Sequence, residues 1–352
     1  MQALTVKIRI FPDDTNAFYQ LSQEYIRVVN RLVEQAWEEG SFPKVSTKHI
    51  DAALPSAVLN QAIRDAKSVY RKSKKQGKIV TLHKPTYYVN NQNYTVMGDT
   101  VALPIMVDGK ARKTHFRAII TDRDKALLNG AKHGLLRLVE KSGKWYAQIS
   151  IEVLSQQMSD SATIMGVDLG LKVPAVAVTS NGKTKFFGNG RQNKFKRRYF
   201  LSGRKKLGKL KKLSVIRKLG NKEQRWMTDQ NHKISRQIVN FAKEQGVCII
   251  KLEQLKNIRN TARTSRKNAK NLNNWSFYQL QSFIQYKANM VGIQVTEVNP
   301  AYTSQTCPNC GKRSKAKDRS YQCSCGFHAH RDRVGAQNIM NQPVADGNSL
   351  SA

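Results

Sequence analysis

Acidic residues are scarce in this chain. Its 352 residues hold 24 Asp and Glu against 60 Lys and Arg, a formal charge of +36 at pH 7, with a pI near 10.2. Ion pairing within the chain cannot balance such a surface, which repels itself unless a polyanion supplies the missing charge. A halo of solvated lysines is the bland alternative, but an imbalance this large is rarely only a solubility device. Long hydrophobic runs are lacking too. No stretch approaches the ~20 apolar residues a membrane-spanning helix needs, and Met1–Ile10 alternates like a strand instead of forming the apolar core of a signal peptide. Cysteine is sparse: there are five, four of them between Cys307 and Cys325. Without an export signal, that clustering argues against a disulfide framework and for a metal site. The fifth, Cys248, lies in an apolar run and reads as a small buried hydrophobe.

What is present suffices for two or three domains. Residues 4–10 are a strand candidate. Helical spacing follows in Phe18, Leu21, Tyr25, Val28, Val29, Leu32 and Ala36, stopped by Gly40, and again from Pro55 to Lys75. From 79 to 154 the period falls to two, most clearly in Trp145, Ala147, Ile149, Ile151 and Val153. This reads as a multidomain α+β chain. A β-barrel formed by 1–10 and 79–160 is split by a helical insert at 11–78, with 155–162 as a linker. The second half opens with strands at 164–169, 175–179 and 183–187, the last two joined by Asn181-Gly182, a two-residue hairpin signal. A basic helical stretch at 192–245, a strand at 247–253, a helix at 275–291, a strand at 293–298 and a final helix at 332–340 complete the order β-β-β-α-β-α-β-α. That is the order of a ribonuclease-H-like α/β domain. The expected bounds are 161–300 and 328–341 for this domain, 301–327 for an inserted cysteine module and 342–352 for a disordered tail.

Three carboxylates occupy distinctive settings. Asp168 lies in Gly166-Val167-Asp168-Leu169-Gly170, Glu253 ends the run Val247–Glu253, and Asp332 opens the last helix. Two-metal phosphodiester hydrolysis needs acids around ions roughly 3.5–4 Å apart, and Mg²⁺ takes hard oxygen ligands while keeping several waters. One ion would activate the attacking water and the other would stabilise the leaving 3′-oxygen. Each acid has a plainer reading: a turn cap for Asp168, a salt bridge for Glu253, a helix-dipole partner for Asp332. Jointly the plain readings weaken, because all three acids fall where one fold would gather them.

Cys307-Pro308-Asn309-Cys310-Gly311 and Cys323-Ser324-Cys325-Gly326 form two knuckles separated by a twelve-residue loop. Four thiolates at this spacing suit one structural, tetrahedral Zn²⁺. The second knuckle is tight enough that His328 is an alternative fourth ligand. Otherwise His328 and His330 read as phosphate contacts or packing residues. The loop's Lys312, Arg313, Lys315, Lys317 and Arg319 would hold positive charge beside the acids and bind the strand being cut. Between Arg191 and Arg225 the one acid is Glu223, so Arg197, Arg198, Arg204, Lys205, Lys206, Lys211 and Lys212, with Lys312, Arg313 and Arg331, are candidate nucleic-acid contacts. Tyr199, Phe200 and Trp226 can stack on bases, but core packing is the expected role of each. Lys256–Asn274, polar and basic, reads as a flap beside Glu253.

These residues, with Pro300-Ala301-Tyr302-Thr303-Ser304-Gln305-Thr306 before the first knuckle and Arg331-Asp332-Arg333-Val334-Gly335-Ala336-Gln337-Asn338-Ile339 after the second, closely resemble TnpB. TnpB is the transposon-encoded, RNA-guided DNA endonuclease with a RuvC-type domain, related to compact type V CRISPR effectors. The likeness is specific over 161–340; over 1–160 it rests on element order, a wedge-like barrel with a helical recognition insert. It implies Asp168, Glu253 and Asp332 as RuvC acids binding two Mg²⁺, and Cys307, Cys310, Cys323 and Cys325 as zinc ligands. It also implies a guide RNA paired with double-stranded target DNA beside a short adjacent motif, no membrane, and a cytoplasmic, monomeric ribonucleoprotein. The family's last motif often reads Asp-x-Asn-Ala-Ala, where this chain has Asp332-Arg333-Val334-Gly335-Ala336. The alternatives are a compact type V CRISPR effector and a nuclease-inactive guided DNA-binding regulator, against which the intact acids argue. No tyrosine or serine nucleophile motif supports a strand-transferring transposase.

Overall fold

The alternation of the first ten residues becomes a strand, β1 (Gln2–Phe11), because Val6, Ile8 and Ile10 turn into a core while Lys7 faces solvent. The computed structural model describes residues 2–154, 162–255 and 276–343. The expected linker, the flap and the end of the tail lie outside the described residues. The chain divides into two units, Met1–Leu154 and Ser155–Ala352.

In the first unit, α1 (Thr15–Glu38) and α2 (Ser56–Gln76) follow β1. Then come β2 (Thr86–Val89), β3 (Thr95–Met97), β4 (Thr100–Val107), β5 (Lys110–Ile119), α3 (Asp122–Asn129), β6 (Lys132–Glu140) and β7 (Trp145–Val153). The described strands make an antiparallel sheet in the order β2-β6-β7-β1-β5-β4-β3. The expected barrel is a curled sheet: β2 and β3 are its edges and do not pair with each other among the described residues. The curl brings the Tyr87 hydroxyl of β2 to donate to the Pro104 carbonyl of β4. The two long helices share one hydrophobic core with the sheet. Phe18 meets Phe116 and Trp145 edge-on, at centroid distances of 4.8 and 5.2 Å. Helix α3 interrupts a stretch whose period reads as all strand. Its cue is the reciprocal cap between Thr121 and Asp124.

The second unit opens with β8 (Thr163–Leu169), β9 (Ala175–Thr179) and β10 (Thr184–Phe187). Gly182 at φ 83° makes the tight β9–β10 turn. The basic stretch is three helices, α4 (Gly190–Lys209), α5 (Leu213–Leu219) and α6 (Lys222–Glu244). After these come β11 (Val247–Glu253), α7 (Phe277–Asn289), β12 (Gln294–Val298), a hairpin of β13 (Ser320–Gln322) and β14 (His328–His330), and α8 (Arg331–Asn341). The described sheet has the order β10-β9-β8-β11-β12, with β8 to β10 antiparallel and β11 parallel to both β8 and β12. β9 is buried throughout, as expected of a strand covered on both faces. Among the described residues no helix is long and apolar enough to cross a membrane.

Helix α8 lies directly on β8, and Gly166 makes this possible. A Cβ there would overlap the Ala336 carbonyl and the Met340 backbone nitrogen. Just beyond that contact, at the C-terminal end of α8, the buried Lys251 of β11 donates its Nζ to the Gln342 carbonyl at 2.7 Å. Gly166→Ala is therefore expected to push α8 off the sheet and lower the melting midpoint by the equivalent of about 1–3 kcal/mol or more. A thermal melt followed by circular dichroism checks this, and an unchanged midpoint would mean that the helix retreats at no cost.

Candidate active site and metal centre

Each acid is delivered by a separate element. Asp168 is next to last on β8 and Glu253 is last on β11. The parallel register pairs Leu252 with Val167, so the two acids are neighbours across the strands. Asp332 lies in the first turn of α8, buried, at the helix end that favours negative charge. The helix meets the sheet at Gly335, where a Cβ would stand 3.0 Å from Asp168 Oδ2. At this departure from the family pattern, glycine leaves the room the Asp168 carboxylate occupies. Val334 is buried in a small cluster with Cys307 and Tyr321.

The electrostatics follow from that convergence. Burial, then the negative charges of Glu253 and Asp332, hold the Asp168 carboxyl well above the usual range, against the pull of Arg331 and Arg319. Glu253 is also raised by burial, opposed by a hydrogen bond from the Thr303 hydroxyl. Asp332 Oδ1 is ion-paired with Arg319, while its buried Oδ2 has no hydrogen-bond partner among the described residues. Among the described residues, the group of three or more ligand atoms lying within 4.8 Å of one another is the cysteine cluster. Thr303 holds one oxygen of Glu253 and Arg319 one oxygen of Asp332.

The site is fastened by α8. Asn338 donates to the Thr303 and Thr306 carbonyls, both at 2.7 Å, and so ties the Thr303 loop to the helix. On its other side α8 continues the β13–β14 hairpin, and Arg331 N–H donates to the Arg319 carbonyl at 2.8 Å. That hairpin belongs to the cysteine module. Cys307, Cys310, Cys323 and Cys325 bring their Sγ atoms together, with Cys307 to Cys325 at 3.7 Å and Cys310 to Cys323 at 3.5 Å. Gly311 and Gly326, at φ 72° and 86°, close the two knuckle turns. The Phe327 backbone N–H, with Cys310 beside it, lowers the Cys325 thiol to about 6, favouring the metal-binding thiolate. The cluster can hold a metal ion with cysteine alone. His328 instead lies 2.9 Å from the Ser320 hydroxyl, and His330 caps α8 and packs edge-on against Phe186.

The basic candidates separate by environment. Arg198, Lys205, Lys206, Lys211, Lys212, Lys312 and Arg313 are exposed, Arg313 lying 3.6 Å from the centre of the Tyr302 ring. Arg331 donates to the Ser304 hydroxyl at 3.3 Å. Arg197 and Arg204 line a pocket of about 360 Å³ with Glu223, Thr228 and Gln279, and Arg204 pairs with Glu223 at 2.6 Å. Two expectations are corrected. Arg319, read as a loop cation for the bound strand, turns inward to Asp332, because a buried carboxylate attracts the nearest guanidinium. Tyr199, read as core, is 64% exposed, because α4 contributes only Gly190 to the interior. Sequence reasoning missed Thr303, Lys251 and Asn338, although Thr303 and Asn338 lie inside the quoted motifs. Their roles depend on what packs against them.

Residues 277–339 match the Cas12f1-like TNB domain family. The chain is 26% identical over 394 aligned positions to the CRISPR-associated endodeoxyribonuclease Cas12f1 of Sulfoacidibacillus thermotolerans, covering 91% of both chains. It is 34% identical over 135 positions to a TnpB-like protein of Methanocaldococcus jannaschii, across 38% of this chain and 49% of that one. Its fold is similar to that of Cas12f1 in the solved complex of Cas12f1, sgRNA and target DNA, with a TM-score of 0.70 at 17% identity, over 92% of this chain and 82% of that one.

The Arg319–Asp332 pair gives a direct check on the site. Arg319→Ala leaves a buried carboxylate without its cation, so the melting midpoint is expected to fall by the equivalent of about 1–3 kcal/mol. Added Mg²⁺ should then stabilise the variant more than the parent, because no guanidinium competes for Asp332. Equal Mg²⁺ shifts in calorimetry would show that the two cations do not share this carboxylate.

Proposed function

We propose that this chain, which belongs to the TnpB and compact type V effector-like nucleases, is an RNA-guided DNA endonuclease with Asp168, Glu253 and Asp332 as its metal-binding acids. The observation that carries this reading is the convergence of the three carboxylates from β8, β11 and α8 on one another, with Asp332 Oδ2 buried and unpartnered among the described residues. An all-carboxylate set with a free buried oxygen fits a hard divalent cation such as Mg²⁺. When bound, two such ions supply activation of the attacking water and neutralisation of charge at the leaving 3′-oxygen.

The chain's own residues prepare that chemistry. Thr303 fixes the Glu253 carboxylate by donating to one oxygen and leaving the other to a ligand. Arg319 holds Asp332 Oδ1 and leaves the buried Oδ2 to a ligand. Arg331 and Arg319 bring positive charge beside Asp168, offsetting the repulsion among the acids and favouring approach of a phosphate. Cys307, Cys310, Cys323 and Cys325 hold one structural Zn²⁺. The hairpin they brace runs directly into α8, so the zinc module positions Asp332.

In this reading the second unit is a ribonuclease-H-like RuvC domain with the cysteine module at 301–327 facing target nucleic acid. The sheet of the first unit is the wedge-like domain, and the helices at 11–78 are its recognition insert. Guide RNA and double-stranded target DNA are the partners, favoured by the +36 charge. Transposon and CRISPR settings share this chemistry and differ in genomic context.

Asp168→Ala, Glu253→Gln and Asp332→Ala should each lower DNA cleavage by roughly three orders of magnitude or more while retaining RNA and DNA in gel-shift assays. Full cleavage by any one variant removes that acid from the set. RNA copurifying with the protein should sequence as one defined noncoding species; random fragments would favour nonspecific polyanion binding. One zinc per chain is expected by metal analysis, falling to near zero in Cys323→Ser with loss of structure around α8.

A further inference from the structure

Helix α4 is almost wholly on the surface. Gly190 is its one buried residue, and α5, which follows, has none. Helices in proteins draw most of their stability from a packed apolar face, and α4 lacks one. Every charged residue it carries is Lys or Arg, and Gly203 and Gly208 in its interior weaken it further, with nothing within 4 Å of where their Cβ atoms would be. A helix of like charges with so little packing gains most from a polyanion laid along it.

The outward face is organised. Arg191, Phe195, Arg198, Tyr199, Ser202 and Lys206 fall within one helical stripe, and all are exposed. Phe195 and Tyr199 are 63% and 64% exposed, one turn apart. Phe200 meets Tyr199 edge-on at 5.5 Å and so orders its ring. Arg197 and Arg204 lie on the opposite face, towards the pocket with Glu223. Two rings separated by about 6 Å along the axis offer neighbouring faces on which successive bases can stack.

We propose that the outward face of α4 is a stacking platform for unpaired bases of an RNA strand, with Phe195 and Tyr199 taking the bases and Arg191, Arg198 and Lys206 the flanking phosphates. This rests on the RNA-guided reading and adds to it the element that grips single-stranded RNA. Charge selects the occupant: an acidic polymer with flat, apolar faces matches both components of the stripe, whereas a second copy of this chain would bring another strongly basic surface against it. Stacking contacts of this kind tolerate any base, so the platform holds RNA without reading its sequence.

The test uses the full chain and a single-stranded RNA oligonucleotide of mixed sequence, with duplex RNA of equal length as the comparison. Phe195→Ala combined with Tyr199→Ala should weaken single-strand binding by about tenfold or more. Duplex binding should stay unchanged, as should the slope of log affinity against log salt, because stacking releases no counterions. Arg198→Ala with Lys206→Ala should instead flatten that slope, by about 0.7 per lost phosphate contact. In Phe195→Trp, RNA should quench the added indole fluorescence. Unchanged single-strand affinity of the aromatic variant, or full RNA binding without quenching, overturns the proposal. So does a change in its mass by light scattering with RNA affinity intact, which would assign the stripe to a second copy. A chain that retains RNA normally while the aromatic variant is silent refutes the platform alone; a chain that binds no RNA refutes the guided reading with it.

Discussion

Three carboxylates with little room between them repel one another, and the second unit is arranged to hold them there. Two are placed by strand pairing, which fixes Asp168 and Glu253 as neighbours through the parallel register of β8 and β11. The third depends on one close approach, the contact of α8 with β8 across Gly166 and Gly335. Move that helix outward by a methyl group and Asp332 leaves the other two. The interior here is close-packed enough that such a shift is felt.

Several weaker devices guard this arrangement. Lys251 anchors one end of α8, and the β13–β14 hairpin feeds the other. Asn338 ties the helix to the loop whose Thr303 orients Glu253. Consequently α8 couples the cysteine cluster to all three acids, and metal-driven order in a small module can set the geometry of a site built mostly by the sheet. Arg319 balances the local charge by occupying Asp332. The charge imbalance of the chain continues over its helical surface, where α4 and α5 lack a core of their own. The exposed surface of α4 and α5 is therefore cationic throughout, as expected of a face that meets a polyanion.

The departure in the last motif shows how sequence and packing interact. Where related chains often carry Asn-Ala-Ala, this one has Val334-Gly335-Ala336. Val334 adds apolar contact to the Cys307 and Tyr321 cluster, and Gly335 gives the Asp168 carboxylate its space. Both substitutions are compatible with α8 lying close to the sheet, and the second favours it.

Much of the fold was legible because periodicity reports burial. Strands β8, β9 and β11, the Asn181-Gly182 turn and the amphipathic end of α6 all follow from local pattern, and the spacing of the cysteines was enough to expect their convergence. Local pattern also located the acids at strand ends and at a helix start. It did not reveal α3, whose cue is a two-residue cap inside a strand-like stretch, nor that β2 and β3 of the first unit's sheet do not pair with each other among the described residues. It misplaced Tyr199 in the core, since an aromatic spaced for burial looks the same whether or not a partner element covers it. By itself the sequence determined most of the element order, the candidate acids and the cysteine knuckles, all set by neighbours along the chain. Tertiary structure alone decided that Arg319 turns to Asp332, that Thr303 serves Glu253 and that Tyr199 on α4 stays exposed, because those depend on distances between residues far apart in the chain.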